Sequence, residues 1–205
     1  MVEPRANDTV DRNGNAPESS RVALLLIDVI NELDFEGSEP LVERAIPMAS
    51  RLAALKKRAA RAGIPAIYIN DNFGKWRSDF RKLVEHCVHD DVPGREVARL
   101  LRPTDEDYFV LKPKHSAFHA TPLDILLRLL QADTVILTGI AGNICVLFSA
   151  SDAHMRDLRL VVPSDCTVSN TPEANEYALA HMRDVLKADV SPSEALDLEA
   201  LQRWN

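Results

Sequence analysis

From Arg21 onward, short apolar runs alternate with longer amphipathic stretches, the pattern that strands and helices give around a buried parallel sheet. Apolar runs at 22–28, 64–70, 108–112, 134–139 and 158–163, with a short one at 188–190, predict six strands. Between the first two, residues 41–62 set Leu and Ala at helical spacing beneath an Arg- and Lys-rich outer face, and Gly63 followed by Pro65 stops the helix. Residues 122–131 read as a second helix: Thr121 caps it, Pro122 sits in its first turn, and Leu123, Leu126, Leu127 and Leu130 form one apolar stripe. Residues 143–156 and 172–187 give two more. Right-handed crossovers between parallel strands then yield a three-layer α/β/α sandwich without a second domain. The first twenty residues, with Pro4, Gly14 and Pro17 among polar neighbours, lack an apolar period and read as a disordered tail, leaving 21–205 as the folded domain. The stretch 70–103 is the least regular, and connections of that length usually carry function or a partner surface.

Composition narrows the possible partners. A chain of 205 residues that is 46% hydrophobic can bury one substantial core. Its longest apolar run, Val22–Ile27, is far short of the ~20 residues of a membrane helix, so no membrane partner is expected. Lys and Arg number 24 against 31 Asp and Glu, for a net charge of −7, which disfavours nucleic acid. The three cysteines form no C-x-x-C pair and no leader pattern precedes the domain, so a reduced, cytoplasmic chain is expected. The glycines form neither G-x-G-x-x-G nor a Walker pattern, and nucleotide binding is not indicated.

Ligands of open parallel sheets bind outside the carboxyl ends of the strands. Three reactive residues fall there: Asp28 closes the first strand, Lys112 closes the third, and Cys145 follows the fourth at the start of a helix. Taken alone, Cys145 reads as core filling, Asp28 as a turn cap and Lys112 as a solvated strand end. Together they can form a nucleophilic site. A helix N-terminus and a neighbouring ammonium would favour the thiolate, pulling the Cys145 pKa below about 8.5 and making it the fastest of the three cysteines to alkylate. Asp28 could take the thiol proton and return it to a leaving amine. If strands one and three are separated by one other strand, their ends lie about 10 Å apart, a gap that a lysine side chain can cross.

These residues sit in three segments: Leu25-Leu26-Ile27-Asp28-Val29-Ile30-Asn31, Val110-Leu111-Lys112 running on to Ser116-Ala117-Phe118, and Thr138-Gly139-Ile140-Ala141-Gly142-Asn143-Ile144-Cys145-Val146. In order and spacing they resemble the isochorismatase-like cysteine hydrolases, which include nicotinamidases and carbamoyl-amide hydrolases. The resemblance implies a Rossmann-like sandwich with a six-stranded, mainly parallel sheet in the order 3-2-1-4-5-6. It implies an Asp28, Lys112 and Cys145 triad that cleaves a small amide, carbamoyl or lactam C–N bond through a thioester, without a cofactor. It further implies a cis peptide between Ile140 and Ala141, with the Ala141 and Cys145 amides forming an oxyanion hole. Phe35, Asn72, His115 and Phe118 are candidate substrate contacts, and Trp76 is a weaker one.

Two segments depart from the family. Nicotinamidases carry a D-x-H metal motif after strand two, whereas Asp71-Asn72-Phe73 ends in phenylalanine, so no metal is expected and nicotinamide is not indicated. Asp28 to Phe35 is longer than the compact D-x-Q-x-D-F of many members, which implies a reshaped pocket floor. His86 and His89 flank Cys87 at helical spacing, but no second donor pair follows, and a surface position is expected. Cys166 reads as structural. A homodimer or homotetramer is expected, with 70–103, including Phe73, Trp76 and Phe80, as the contact surface. Vinyl-ether hydrolysis of the isochorismatase type, a redox-sensing thiol protein and an idle interaction domain are the alternatives.

Overall fold

A computed structural model describes residues 19–72 and 79–203. Six strands, β1 (Val22–Ile27), β2 (Ala66–Asp71), β3 (Tyr108–Lys112), β4 (Thr134–Ile140), β5 (Arg159–Val161) and β6 (Thr167–Val168), form one parallel sheet. The order is β3-β2-β1-β4-β5, and β6 pairs with β4. Among the described residues, helices α1 (Glu39–Arg61), α2 (Phe80–His89), α3 (Arg95–Leu100), α4 (Leu123–Leu130), α5 (Leu147–His154), α6 (Pro172–Asp184) and α7 (Leu198–Gln202) accompany the sheet. All six side chains of β1 are buried, as a strand covered on both faces requires. Its alternate residues feed two cores: Val22, Leu24 and Leu26 pack with the apolar stripe of α1, while Ala23, Leu25 and Ile27 pack with Leu123, Leu127, Ala150 and Ala178 of α4, α5 and α6. Among the described residues, no helix is long and apolar enough to cross a membrane.

The sixth strand differs from expectation. Residues 188–190 do lie beside β5, but only through a single parallel bridge, Val161 to Asp189. The paired segment is instead Thr167–Val168, which meets Gly139 and Ile140 where β4 runs on past the three-residue β5. The irregular stretch contains α2 and α3, and Phe80 is buried there, stacked on Phe109 with centroids 5.1 Å apart. It is therefore unavailable to a partner surface. Phe73 and Trp76, and the tail up to residue 18, lie outside the described residues. Ser20 belongs to the fold: it is buried, and its N–H donates to the carbonyl of Leu130.

Gly139 lets the ends of β1 and β4 close. Its φ is +112°, and a Cβ there would lie 2.1 Å from the carbonyl oxygen of Ile27, the residue before Asp28. Because both the backbone conformation and the backbone contact exclude a side chain, Gly139→Ala is expected to cost more than about 3 kcal/mol. That corresponds to a fall of roughly 10 °C in the unfolding midpoint, measurable by calorimetry. An unchanged midpoint would contradict the packing described.

Candidate active site

Three adjacent strands deliver charged side chains to one point. Asp28 follows β1 with φ of 51°, a left-handed conformation that Asp tolerates better than most residues. Its Oδ1 accepts the N–H of Asp71, the last residue of β2, at 2.8 Å. Lys112, the last residue of β3, is paired in register with Asp71 and has no exposed side-chain surface (0%). Its Nζ lies 2.8 Å from Asp28 Oδ2 and 3.5 Å from Asp71 Oδ2, and donates toward Cys145 Sγ at 3.6 Å. The long lysine chain thus reaches from β3 past β2 to the end of β1, as the strand spacing requires.

Cys145 sits in a π-helical turn, Gly142–Val146, rather than in the first turn of an α-helix. The Ala141 carbonyl accepts the amides of both Ile144 and Val146, at 3.0 and 3.2 Å, and the wider turn then runs into α5. The Ile140–Ala141 peptide that precedes it is cis. The structure therefore brings Asp28, Lys112 and Cys145 together and adds Asp71, which the sequence suggested only as part of a metal motif. Asn72 is buried beside them, its N–H donating to the Lys112 carbonyl at 2.9 Å.

The other candidate contacts differ in exposure. His115 is exposed, its ring against the exposed Phe148 with centroids 5.6 Å apart. Phe35 is 49% exposed. Phe118 corrects the expectation of a pocket wall: it is 3% exposed, belongs to the core beneath α4 and α5, and carries the Arg156 guanidinium 4.6 Å from its ring centre. A ring so enclosed has no face left for a ligand. His86 and His89, near the end of α2, pair with Glu32 and Asp90 and with Glu85. Cys87 and Cys166 are buried. Among the described residues, no group of three or more His, Cys, Asp and Glu side chains is placed to hold a metal ion. Asp71 Oδ2 faces the Lys112 ammonium at 3.5 Å.

The electrostatics correct the expectation of a resting thiolate. Burial pushes the Cys145 thiol up to about 12, and the Asp28 carboxylate adds to the rise, outweighing the opposing pull of Lys112. Burial also raises Asp28, against the stabilising charge of Lys112 and its hydrogen bonds. Lys112 is raised despite burial, because Asp28, Cys145 and Asp71 surround it. Asp28 and Asp71 both draw on the Lys112 ammonium, which divides its pull on the thiol. The resting thiol is neutral. Its alkylation by iodoacetamide should accordingly rise about tenfold per pH unit from pH 7 to 10 without a plateau, since each unit multiplies the thiolate fraction by ten below the pKa. A plateau below pH 8 would contradict this.

Similarity to known proteins gives the family. The isochorismatase domain family matches residues 22–194. The isochorismatase family protein YaaI of Bacillus subtilis is 41% identical over 174 residues, covering 85% of this chain and 95% of its own length. The ureidoacrylate amidohydrolase RutB of Methylorubrum extorquens is 38% identical over 98 residues, a match that spans 46% of this chain and 40% of that relative. In structure, the N-carbamoylsarcosine amidase of Thermoplasma acidophilum is similar with a TM-score of 0.66 and 27% identity, over 86% of this chain and 99% of that one. The matched segment contains all three strand-end residues and the whole parallel sheet, and the chain belongs to the isochorismatase family of hydrolases.

Proposed function

We propose that the chain is a cysteine hydrolase that cleaves the C–N bond of a small amide, carbamoyl or lactam substrate through a thioester on Cys145, with Asp28 and Lys112 completing the triad. The observation that carries this reading is the Lys112 ammonium lying 2.8 Å from Asp28 and 3.6 Å from Cys145 at adjoining strand ends. Asp28 takes the thiol proton as Sγ attacks the carbonyl carbon, so the negative charge passes to the carbonyl oxygen instead of resting on sulfur. The N–H groups of Ala141 and Cys145 stabilise that oxyanion. Collapse breaks the C–N bond, and the proton held by Asp28 goes to the departing nitrogen. Asp28 next deprotonates a water that attacks the thioester; sulfur leaves, the thiol is reprotonated, and the acid product is released. Lys112 remains charged throughout and stabilises whichever neighbour is anionic. Asn72, Phe35 and His115 remain candidate substrate contacts.

The relatives described above as acting on carbamoyl and ureido compounds support that substrate class. A redox sensor would instead need a thiolate at rest, and a thiol pushed up to about 12 is a poor one. The vinyl-ether reaction makes no use of a cysteine nucleophile. Unpaired cysteines fit a reducing, cytoplasmic setting. The test is release of ammonia or amine from a panel of small amides, ureas and lactams: turnover of at least one is expected, and inertness toward all of them would refute the proposal.

Self-association into a homodimer or homotetramer is part of the same proposal. Ile125 and Leu129 are exposed one turn apart on α4, with Phe148 exposed on the neighbouring α5. Light scattering should give a multiple of 22.8 kDa, and a monomer at micromolar concentration would contradict it.

A further inference from the structure

The π-helical Cys145 turn is closed by the Ala141 carbonyl, and two fully buried serines add side-chain bonds to it. Ser149 Oγ donates to the Cys145 carbonyl at 2.6 Å and accepts the N–H of Ala117 at 2.9 Å. Ala117 lies in the segment that leaves β3 after Lys112, so one hydroxyl ties the lysine segment to the nucleophile's own carbonyl. Ser169 Oγ accepts the N–H of Asn143 at 2.9 Å and donates to Asn175 Oδ1 at 2.9 Å. Asn175 in turn donates to the Thr167 carbonyl at 3.5 Å, and Arg44 of α1 donates to the carbonyls of Ser169 and Asn170 at 3.3 and 2.6 Å. Gly142 seals the fit: a Cβ there would lie 2.6 Å from Asn175 Oδ1 and 2.9 Å from Ser169 Oγ. The peptide units at Asn143 and Cys145 are therefore each anchored to a hydroxyl whose other bond is made to a different element.

We propose that Ser149 and Ser169 are positioning residues of the nucleophile turn, holding it between the lysine segment on one side and the start of α6 on the other. Neither touches the reacting atoms. They act by fixing the Asn143 N–H on one side of the nucleophile and the Cys145 carbonyl on the other, which orients the Cys145 thiol toward Asp28 and Lys112. The effect on turnover rests on the hydrolase reading, while the effect on the thiol does not.

Ser149→Ala and Ser169→Ala, made in the full chain, test this. With the amide that the wild type turns over, kcat should fall about 100-fold with KM within about threefold, the cost of a small misplacement of reacting groups. Mass-mapped iodoacetamide labelling at pH 8 should be at least about tenfold faster at Cys145, because a loosened thiol leaves its buried seat beside Asp28 and becomes easier to ionise. Cys87 and Cys166 should label as slowly as in the wild type. Ser→Thr at either position keeps the hydroxyl and should return Cys145 labelling to within about threefold of wild type. Asn175→Ala, which leaves Ser169 in place but removes its acceptor, should change labelling in the same direction to a smaller extent. Unchanged Cys145 labelling in the alanine variants would overturn the proposal, as would acceleration of all three cysteines together, which would indicate general loosening of the fold. A wild type inert toward every amide would remove the hydrolase reading and leave the labelling comparison standing.

Discussion

Replacing Lys112 by Met is expected to lower the unfolding midpoint by roughly 10 °C at pH 7 and to remove turnover at the same time. The side chain is fully buried with Asp28 and Asp71 against its ammonium, so an isosteric apolar group leaves the buried Asp28 carboxylate without the ammonium that faces it. Breaking a buried pair from one side costs about 3–5 kcal/mol, and each kcal/mol is worth roughly 2–4 °C in a domain of this size. The pH dependence has a definite sign. Burial already raises Asp28, and loss of Lys112 removes the first of the forces opposing that rise. A carboxyl whose folded pKa lies above its unfolded value contributes stability at low pH and loses it as pH rises through the folded pKa. The gap between variant and wild type should therefore be wider at pH 7 than at pH 5. Thermal unfolding of both proteins at the two pH values checks this, and equal midpoints would contradict the ion-pair geometry.

The two remaining members of the triad should separate by thiol reactivity. Cys145→Ala is expected to abolish turnover and leave the fold intact, because Cys145 is only partly buried and the turn around it is held through backbone groups. Asp28→Asn should lower kcat by about 10²–10⁴, the range for loss of a positioned acid–base group. The same substitution removes a charge that raises the Cys145 thiol, so iodoacetamide labelling of Cys145 should become faster as turnover collapses. Undiminished turnover by Asp28→Asn would contradict the role assigned to Asp28.

Much of this site could be read at the strand ends. Asp28, Lys112 and Cys145 each close an apolar run or open the next helix, and a parallel sheet converts that position in sequence into proximity in space. The long side chain of Lys112 is legible as the bridge, because two strand spacings, one on either side of β2, separate β3 from β1. Residues whose role depends on long-range packing were not legible. Thr167–Val168 is too short to give a strand pattern and pairs only because β4 outruns β5. Asp71 looks like half of a metal motif until the register with Lys112 is known. Phe118 belongs to the lysine segment of the resemblance but packs into the core under Arg156. Ser149 and Ser169 carry no local signal, since a serine in a helix and a serine after a strand are ordinary until their hydroxyls meet the Cys145 turn. The direction of the thiol's shift is hidden for a related reason: a helix start and an ammonium are visible in sequence, whereas burial and the competing Asp28 carboxylate are not.

The most direct test of the mechanism is intact-mass and peptide-mapped spectrometry of the enzyme quenched in acid during turnover of an active amide. The mechanism predicts an added mass equal to the acyl fragment of the substrate, carried by the peptide containing Cys145, present in the wild type and absent from Cys145→Ala. Undiminished turnover by Cys145→Ala, or an acyl group mapped to any other residue, would contradict it.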